Sequence, residues 1–156
     1  MSGPAVRPLL WGFAGLAAIA STTTYAADGA AIYARCSACH LPTGKGVPGA
    51  FPPLNSDFRQ LASKPDGRRY LALVVIKGVS GPLTVEGKSF RGMMPAQSGL
   101  DDTDVASVLN HVGTKVSSSG PAFRPFDAKE VAMARAWGSA LKADGVGQLH
   151  AKVGGK

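Results

Sequence analysis

Cys36-Ser37-Ala38-Cys39-His40 reads C-x-x-C-H, the spacing of a covalent haem attachment motif. Two thiols three positions apart can each form a thioether bond to a vinyl group on one porphyrin edge. The histidine that follows can then give an imidazole nitrogen to the iron. Other chemistries compete for the same thiols. A structural zinc site needs four ligands, and these are the only two cysteines in the 156 residues. A thioredoxin-like dithiol is expected beside a βαβ pattern, and no such pattern is visible. A simple disulfide leaves the adjacent histidine without a role. Haem attachment uses all three residues: one covalently bound haem c on Cys36 and Cys39, with His40 as an iron ligand.

A haem with one protein ligand binds gases or peroxide, whereas one with two transfers electrons. The candidates for a second ligand are His111, His150, Met93, Met94 and Met133. His150 falls in a segment that reads as a loose tail. His111 sits among apolar helix positions and reads as a packed helix histidine. Met133 lies between core positions of the last expected helix. Met93 and Met94 lie in a Gly/Pro stretch, Arg91-Gly92-Met93-Met94-Pro95-Ala96, where a long unbranched thioether is free to reach the porphyrin. Pro95 stiffens the backbone just after Met94. His/Met ligation raises the potential and makes an electron carrier, not an enzyme. The alternative, an open iron site, makes a peroxidase-like haem enzyme or a gas sensor.

The elements that must position these groups are mostly helical. Asp28 can cap a helix over Asp28 to Ala38, with Ile32 and Cys36 four apart on one face, running straight into the motif. Leu41 to Asn55 holds Gly44, Gly46, Pro48, Gly49, Pro52 and Pro53 and must be a loop. One of its proline carbonyls can take the Nδ1–H of His40 and fix its tautomer, with Phe51 and Leu54 placed to pack on the ring. A short helix over 57–62, capped by Ser56, precedes a stronger one over 66–77 whose apolar stripe is Tyr70, Leu71, Val74 and Val75. Leu83 to Phe90 predicts a hairpin turning at Glu86-Gly87. Asp101 opens a helix with Val105, Val108, Leu109 and Val112 at i, i+3, i+4, i+7, ended by Gly113. Asp127 caps a last helix to about Lys142, with Val131, Ala134, Trp137, Gly138 and Leu141 facing the core. The small, basic stretch 146–156 reads as a flexible tail.

The N-terminus predicts a secretory signal over 1–26. Arg7 is its one charge, Leu9 to Ala20 is an apolar run too short to span a bilayer, and Thr24 and Ala26 suit a cleavage site. Uncleaved, it would tether the protein to the membrane. Export to the periplasm is the expectation, with residues 27–145 as one folded domain. The net charge is +7, with Arg59, Lys64, Arg68, Arg69, Lys77, Lys88 and Arg91 concentrated between 59 and 91. That predicts steering toward redox protein partners with an acidic docking face. Nucleic acid does not fit an exported chain whose basic stretch lacks interleaved aromatics.

With these residues in place the chain resembles a class I c-type cytochrome over positions 28 to 142. Gly29-Ala30-Ala31-Ile32-Tyr33 is similar to the family's first helix, whose glycine and aromatic pack on the last helix. Pro52-Pro53-Leu54 resembles the P-x-L loop whose proline carbonyl bonds the proximal histidine. Met94-Pro95 followed by LDDTDVASVLNHV resembles the distal methionine and the final core helix. The resemblance implies an all-α cytochrome c fold of about four to five helices around one haem, with a small hairpin before the Met loop. It also implies Met94 as the second iron ligand, Pro52 and Leu54 as cofactor-binding residues, and single-electron transfer as the function. The segment Gly78 to Pro95 is similar to monohaem cytochromes associated with bacterial periplasmic dehydrogenases and copper nitrite reductases. That implies a dehydrogenase as donor and a terminal oxidase or reductase as acceptor. His111 stands where such members often carry Tyr.

Overall fold

The structure, a computed structural model, describes residues 1, 3 and 28–156. Apart from the first and third residues, the export signal read over 1–26 lies outside the described residues. The described chain forms six helices and one hairpin: α1 (Gly29–His40), α2 (Ser56–Ala62), α3 (Pro65–Lys77), β1 (Val79–Val85), β2 (Lys88–Met94), α4 (Asp102–His111), α5 (Ala128–Trp137) and α6 (Ala143–Lys152). No helix among the described residues is long and apolar enough to cross a membrane.

Capping follows the sequence closely. The carboxylate of Asp28 accepts from the Ala30 amide, that of Asp101 from Asp104 and that of Asp127 from Glu130, each satisfying a donor the helix cannot. α2 differs: Ser56 is its first residue, and its hydroxyl donates to Glu86 instead of capping. Past His111 the backbone does not stop at Gly113. It widens into a π turn, Val112–Val116, closed by the Ser117 amide on the Val112 carbonyl at 2.7 Å.

α1 crosses α4, burying Ile32 and Tyr33 against it, and α3 packs on α2, α4, α5 and α6. Leu61, Leu73, Val105, Val131 and Val146 are the largest fully buried side chains of one continuous core. The hairpin is antiparallel, with Val79 opposite Met94 and Val85 opposite Lys88. Glu86 and Gly87 both take positive φ, 50° and 73°, the two-residue turn whose twist matches paired strands.

Three further expectations are corrected. Residues 146–156 are not a flexible tail: most of the stretch is α6, which packs along β1 and α3 and buries Val146 and His150. Gly147 lets it approach; a Cβ there would stand 2.5 Å from the Ser80 carbonyl oxygen of β1. Met93 and Met94 end strand β2 and are not in a loop. α5 ends at Trp137, which is 53% exposed with the Arg69 guanidinium 4.9 Å above its ring, so it is not a core residue.

Candidate functional site

α1 delivers its last turn to the edge of a predominantly apolar cleft of about 220 Å³. Cys36, Cys39 and His40 line it from α1, Pro52 and Leu54 from the following loop, Tyr70, Leu71 and Val74 from α3, Leu83, Phe90 and Met94 from the hairpin, and Val108 and Leu109 from α4. Both thiols are free and partly buried. Burial pushes the Cys36 thiol above its ordinary pKa, so it stays protonated at neutral pH.

His40 closes α1 and is buried. Its Nδ1 lies 2.9 Å from the Pro52 carbonyl oxygen. A carbonyl only accepts, so Nδ1 carries the proton and Nε2 keeps a free lone pair. Burial lowers the imidazole pKa below its usual value, opposed by the bond to Pro52, and the ring is neutral near pH 7. The loop is tied to α1 for this purpose: the Gly46 amide donates to the His40 carbonyl at 3.0 Å, and the Tyr33 hydroxyl to the Leu41 carbonyl at 2.8 Å. Burial pushes the Tyr33 phenol up to about 12, so it remains a donor throughout the working pH range. Tyr33→Phe removes this one bond and is expected to cost about 1 kcal/mol of stability, read as a lower urea midpoint at unchanged slope.

The methionines separate by strand alternation. Met93 is 71% exposed, while Met94 is half-buried and packed on the core cluster, although both touch the cleft. Of the other ligand candidates, Met133 is 58% exposed and outside the cleft, and His111 packs at a tilt against Tyr33 with ring centroids 5.3 Å apart, also outside it. His150 does line the cleft, with its Nε2 tied to Asp57 at 2.8 Å.

Asp57, Tyr70 and His150 are further buried polar residues of the cleft lining, and sequence reading did not place them there. The signal for His150 was present: Val146, Leu149, His150 and Val153 recur at i, i+3, i+4, i+7. Gly145 and Gly147 obscured it. The basic stretch does not form one steering surface either. Arg68 is buried against Glu130, Arg59 donates to the Ser117 and Pro121 carbonyls, Arg69 pairs with Asp66, and Lys77 donates to Ser139. Lys88 and Arg91 on β2 stay exposed.

Two free thiols at motif spacing, a neutral imidazole with one nitrogen engaged, a thioether and a largely apolar cleft form a donor set that fits a covalently held haem. The comparisons agree. The family model for cytochrome c matches residues 26–115. A cytochrome c-552 of Thermus thermophilus is 43% identical over 112 residues, covering 70% of this chain and 86% of the relative. A second cytochrome c-552 from the same species is also 43% identical over 112 residues, with 70% of this chain and 76% of the relative covered. With motif, cleft and relatives in agreement, the chain belongs to the cytochrome c family and is an electron-carrying monohaem cytochrome with covalently bound haem c.

Proposed function

We propose that Cys36 and Cys39 hold the haem, that His40 and Met94 ligate its iron, and that the protein is exported by residues 1–26 to the periplasm. There it carries single electrons from a dehydrogenase toward a terminal oxidase or reductase. The observation that carries the ligand reading is the His40 Nδ1–Pro52 bond, which leaves Nε2 free in the same cleft as the Met94 thioether. When bound, the haem supplies a one-electron couple whose potential is raised by His/Met ligation. The chain's own part is to keep both ligands in place in either oxidation state. Pro52 fixes the His40 ring, and pairing with Val79 fixes the Met94 backbone. Pro52 and Leu54 hold the proximal edge of the cleft. The folded domain begins near residue 27 and includes α6.

Partners with acidic docking faces suit the exposed Lys88 and Arg91, close to the cleft-lining Phe90 and Met93. Attraction of this kind weakens as salt rises.

The test is the absorption spectrum of the oxidised protein. A methionine-to-ferric-iron charge-transfer band is expected in wild type and in Met93→Ala, and its loss in Met94→Ala. If wild type lacks the band and its reduced form binds CO readily, the iron site is open and the protein is a peroxidase-like enzyme or gas sensor.

A further inference from the structure

Two of the large apolar side chains left exposed, Met133 and Trp137, stand on α5, which contributes no residue to the cleft. They lie four positions apart and so share one face, and Lys129, one turn earlier, extends the row. Ala132 and Ala136 lie beside them on the same helix. All five are exposed. The strip they form is about 15 Å long and about 10 Å wide, apolar along its middle and cationic at its start.

Its flank is cationic as well. The Arg69 guanidinium lies 4.9 Å above the Trp137 ring, and Arg69 and Lys152 line one shallow hollow beside that ring. Lys77 donates to the Ser139 carbonyl, two residues past Trp137. The acids nearby are already engaged. Asp66, the one acid lining the hollow, pairs with Arg69 at 3.0 Å, and Glu130, the one acid of α5, pairs with Arg68 and Arg124. The Arg69–Asp66 pair is exposed and therefore weak, so the guanidinium can exchange Asp66 for another anion.

Charge and size together select what covers this strip. A second copy would bring the same cations face to face, which is unfavourable. A folded protein partner needs about 800 Å² per side and disfavours lysine in the contact, whereas one ten-residue helix offers much less area. A lipid surface needs no fitted shape. An indole and a thioether can enter the boundary between headgroups and acyl chains, while long cationic side chains keep their heads at the phosphates. We propose that the α5 face docks the protein on an anionic phospholipid surface, with Met133 and Trp137 inserted and Arg69, Lys129 and Lys152 on the lipid phosphates. Because α5 is no part of the cleft, the cleft residues Phe51 and Met93 stay open to protein partners. A carrier held in this way searches for a membrane-embedded partner in two dimensions. The docking does not depend on which residues ligate the iron.

The experiment is cosedimentation of the full-length haem-loaded protein with vesicles, read by haem absorbance in the pellet. One set holds phosphatidylglycerol and phosphatidylcholine in equal parts, the other phosphatidylcholine alone. Binding is taken as the difference between the two sets, so that any contribution of the N-terminal apolar run, common to every variant, cancels. Wild type is expected to bind the anionic vesicles and to be released by salt. Trp137→Ala should weaken that binding about tenfold, and Lys129→Gln and Lys152→Gln about fivefold each. The double variant Lys88→Gln, Arg91→Gln, on the hairpin, should change it less than either. Equal binding of the two vesicle sets by wild type, equal affinity of Trp137→Ala and wild type, or a larger loss in the hairpin variant overturns the proposal. Binding to native membranes with none to pure lipid also overturns it and assigns the face to a membrane protein. A wild-type dimer in sedimentation velocity that Trp137→Ala abolishes does so too, and assigns the face to a second copy.

Discussion

Gly29→Ala should destabilise the folded protein by about 3 kcal/mol, the upper end of what an extra methyl costs in a packed interface. The added Cβ would meet the backbone of α4 at Ser107, colliding with its carbonyl oxygen and standing 2.8 Å from its carbonyl carbon, with His111 Cβ at 3.0 Å. Helix backbone cannot swing aside as the end of a flexible side chain can. α1 must therefore tilt away from α4, loosening the burial of Ile32 and Tyr33 between them. The small gain in helix propensity of Ala over Gly, under about 1 kcal/mol, does not offset this. The strain also reaches the site, because α1 ends in Cys36, Cys39 and His40. Urea unfolding of wild type and variant checks it. Gly99→Ala, where an added Cβ meets nothing within 4 Å, is the control and should stay within about 0.5 kcal/mol. Equal midpoints for Gly29→Ala and wild type would mean that the α1–α4 contact is not close-packed.

That contact was legible before the structure, and it is instructive why other parts were not. Gly29 and Tyr33 lie four apart ahead of the thiols, so helix geometry puts them on one face, and the resemblance to the family's first helix implied that this face packs on the final core helix. The C-x-x-C-H spacing, the proline carbonyl at Pro52 and the Glu86-Gly87 turn are likewise local: each depends on residues within a dozen positions. The hairpin was harder. Gly81, Pro82 and Gly92 interrupt its strands, and pairing of Val79 with Met94 across the whole turn cannot be read from alternation. That pairing places Met94 on a strand end with a fixed backbone, where composition suggested a loop.

α6 is the clearest failure, and its cause is tertiary. Two glycines within five residues argue against a helix at about 1 kcal/mol each. Gly147 is there because β1 passes so close, and the proximity repays the propensity with burial of Val146 and the bond from His150 to Asp57, 93 residues away in sequence. Local composition therefore pointed to disorder at a position held by long-range packing. Trp137 failed in the opposite sense. Helical periodicity put it in the stripe, but the helix ends at that residue and the ring turns out to Arg69.

Arg68 was read as part of a steering surface, and its burial leads to the other large effect. Arg68→Met should cost about 3 kcal/mol, the lower end of the range for breaking a buried ion pair from one side, because Arg68 is buried while Glu130 is only half-buried. The guanidinium bonds Glu130 through Nε at 2.5 Å and Nη2 at 2.7 Å. It also donates to the carbonyls of Ala62, Arg124 and Pro125, and lies 3.7 Å over the Phe126 ring. Removing it strands three carbonyls at the junction of α2, α3 and the start of α5 and leaves the half-buried Glu130 carboxylate with Arg124 alone. Arg68→Lys should recover little, since a single ammonium cannot serve a planar fork. The pair also sets an acid limit. The hydrogen bond from Arg68, followed by its charge and that of Arg124, holds the Glu130 carboxyl below its ordinary pKa against the opposing effect of burial. A folded-state pKa lowered in this way adds stability that is complete above the unfolded glutamate value of about 4.3 and is lost as pH falls through the folded value. Wild type should therefore lose stability on acidification below about pH 4.3 more steeply than Glu130→Gln, in which position 130 no longer titrates. Urea unfolding at a series of pH values reads this directly. Parallel pH profiles for the two proteins would show that the Arg68 fork stabilises the fold through its carbonyl bonds and ring contact rather than through the charge of Glu130.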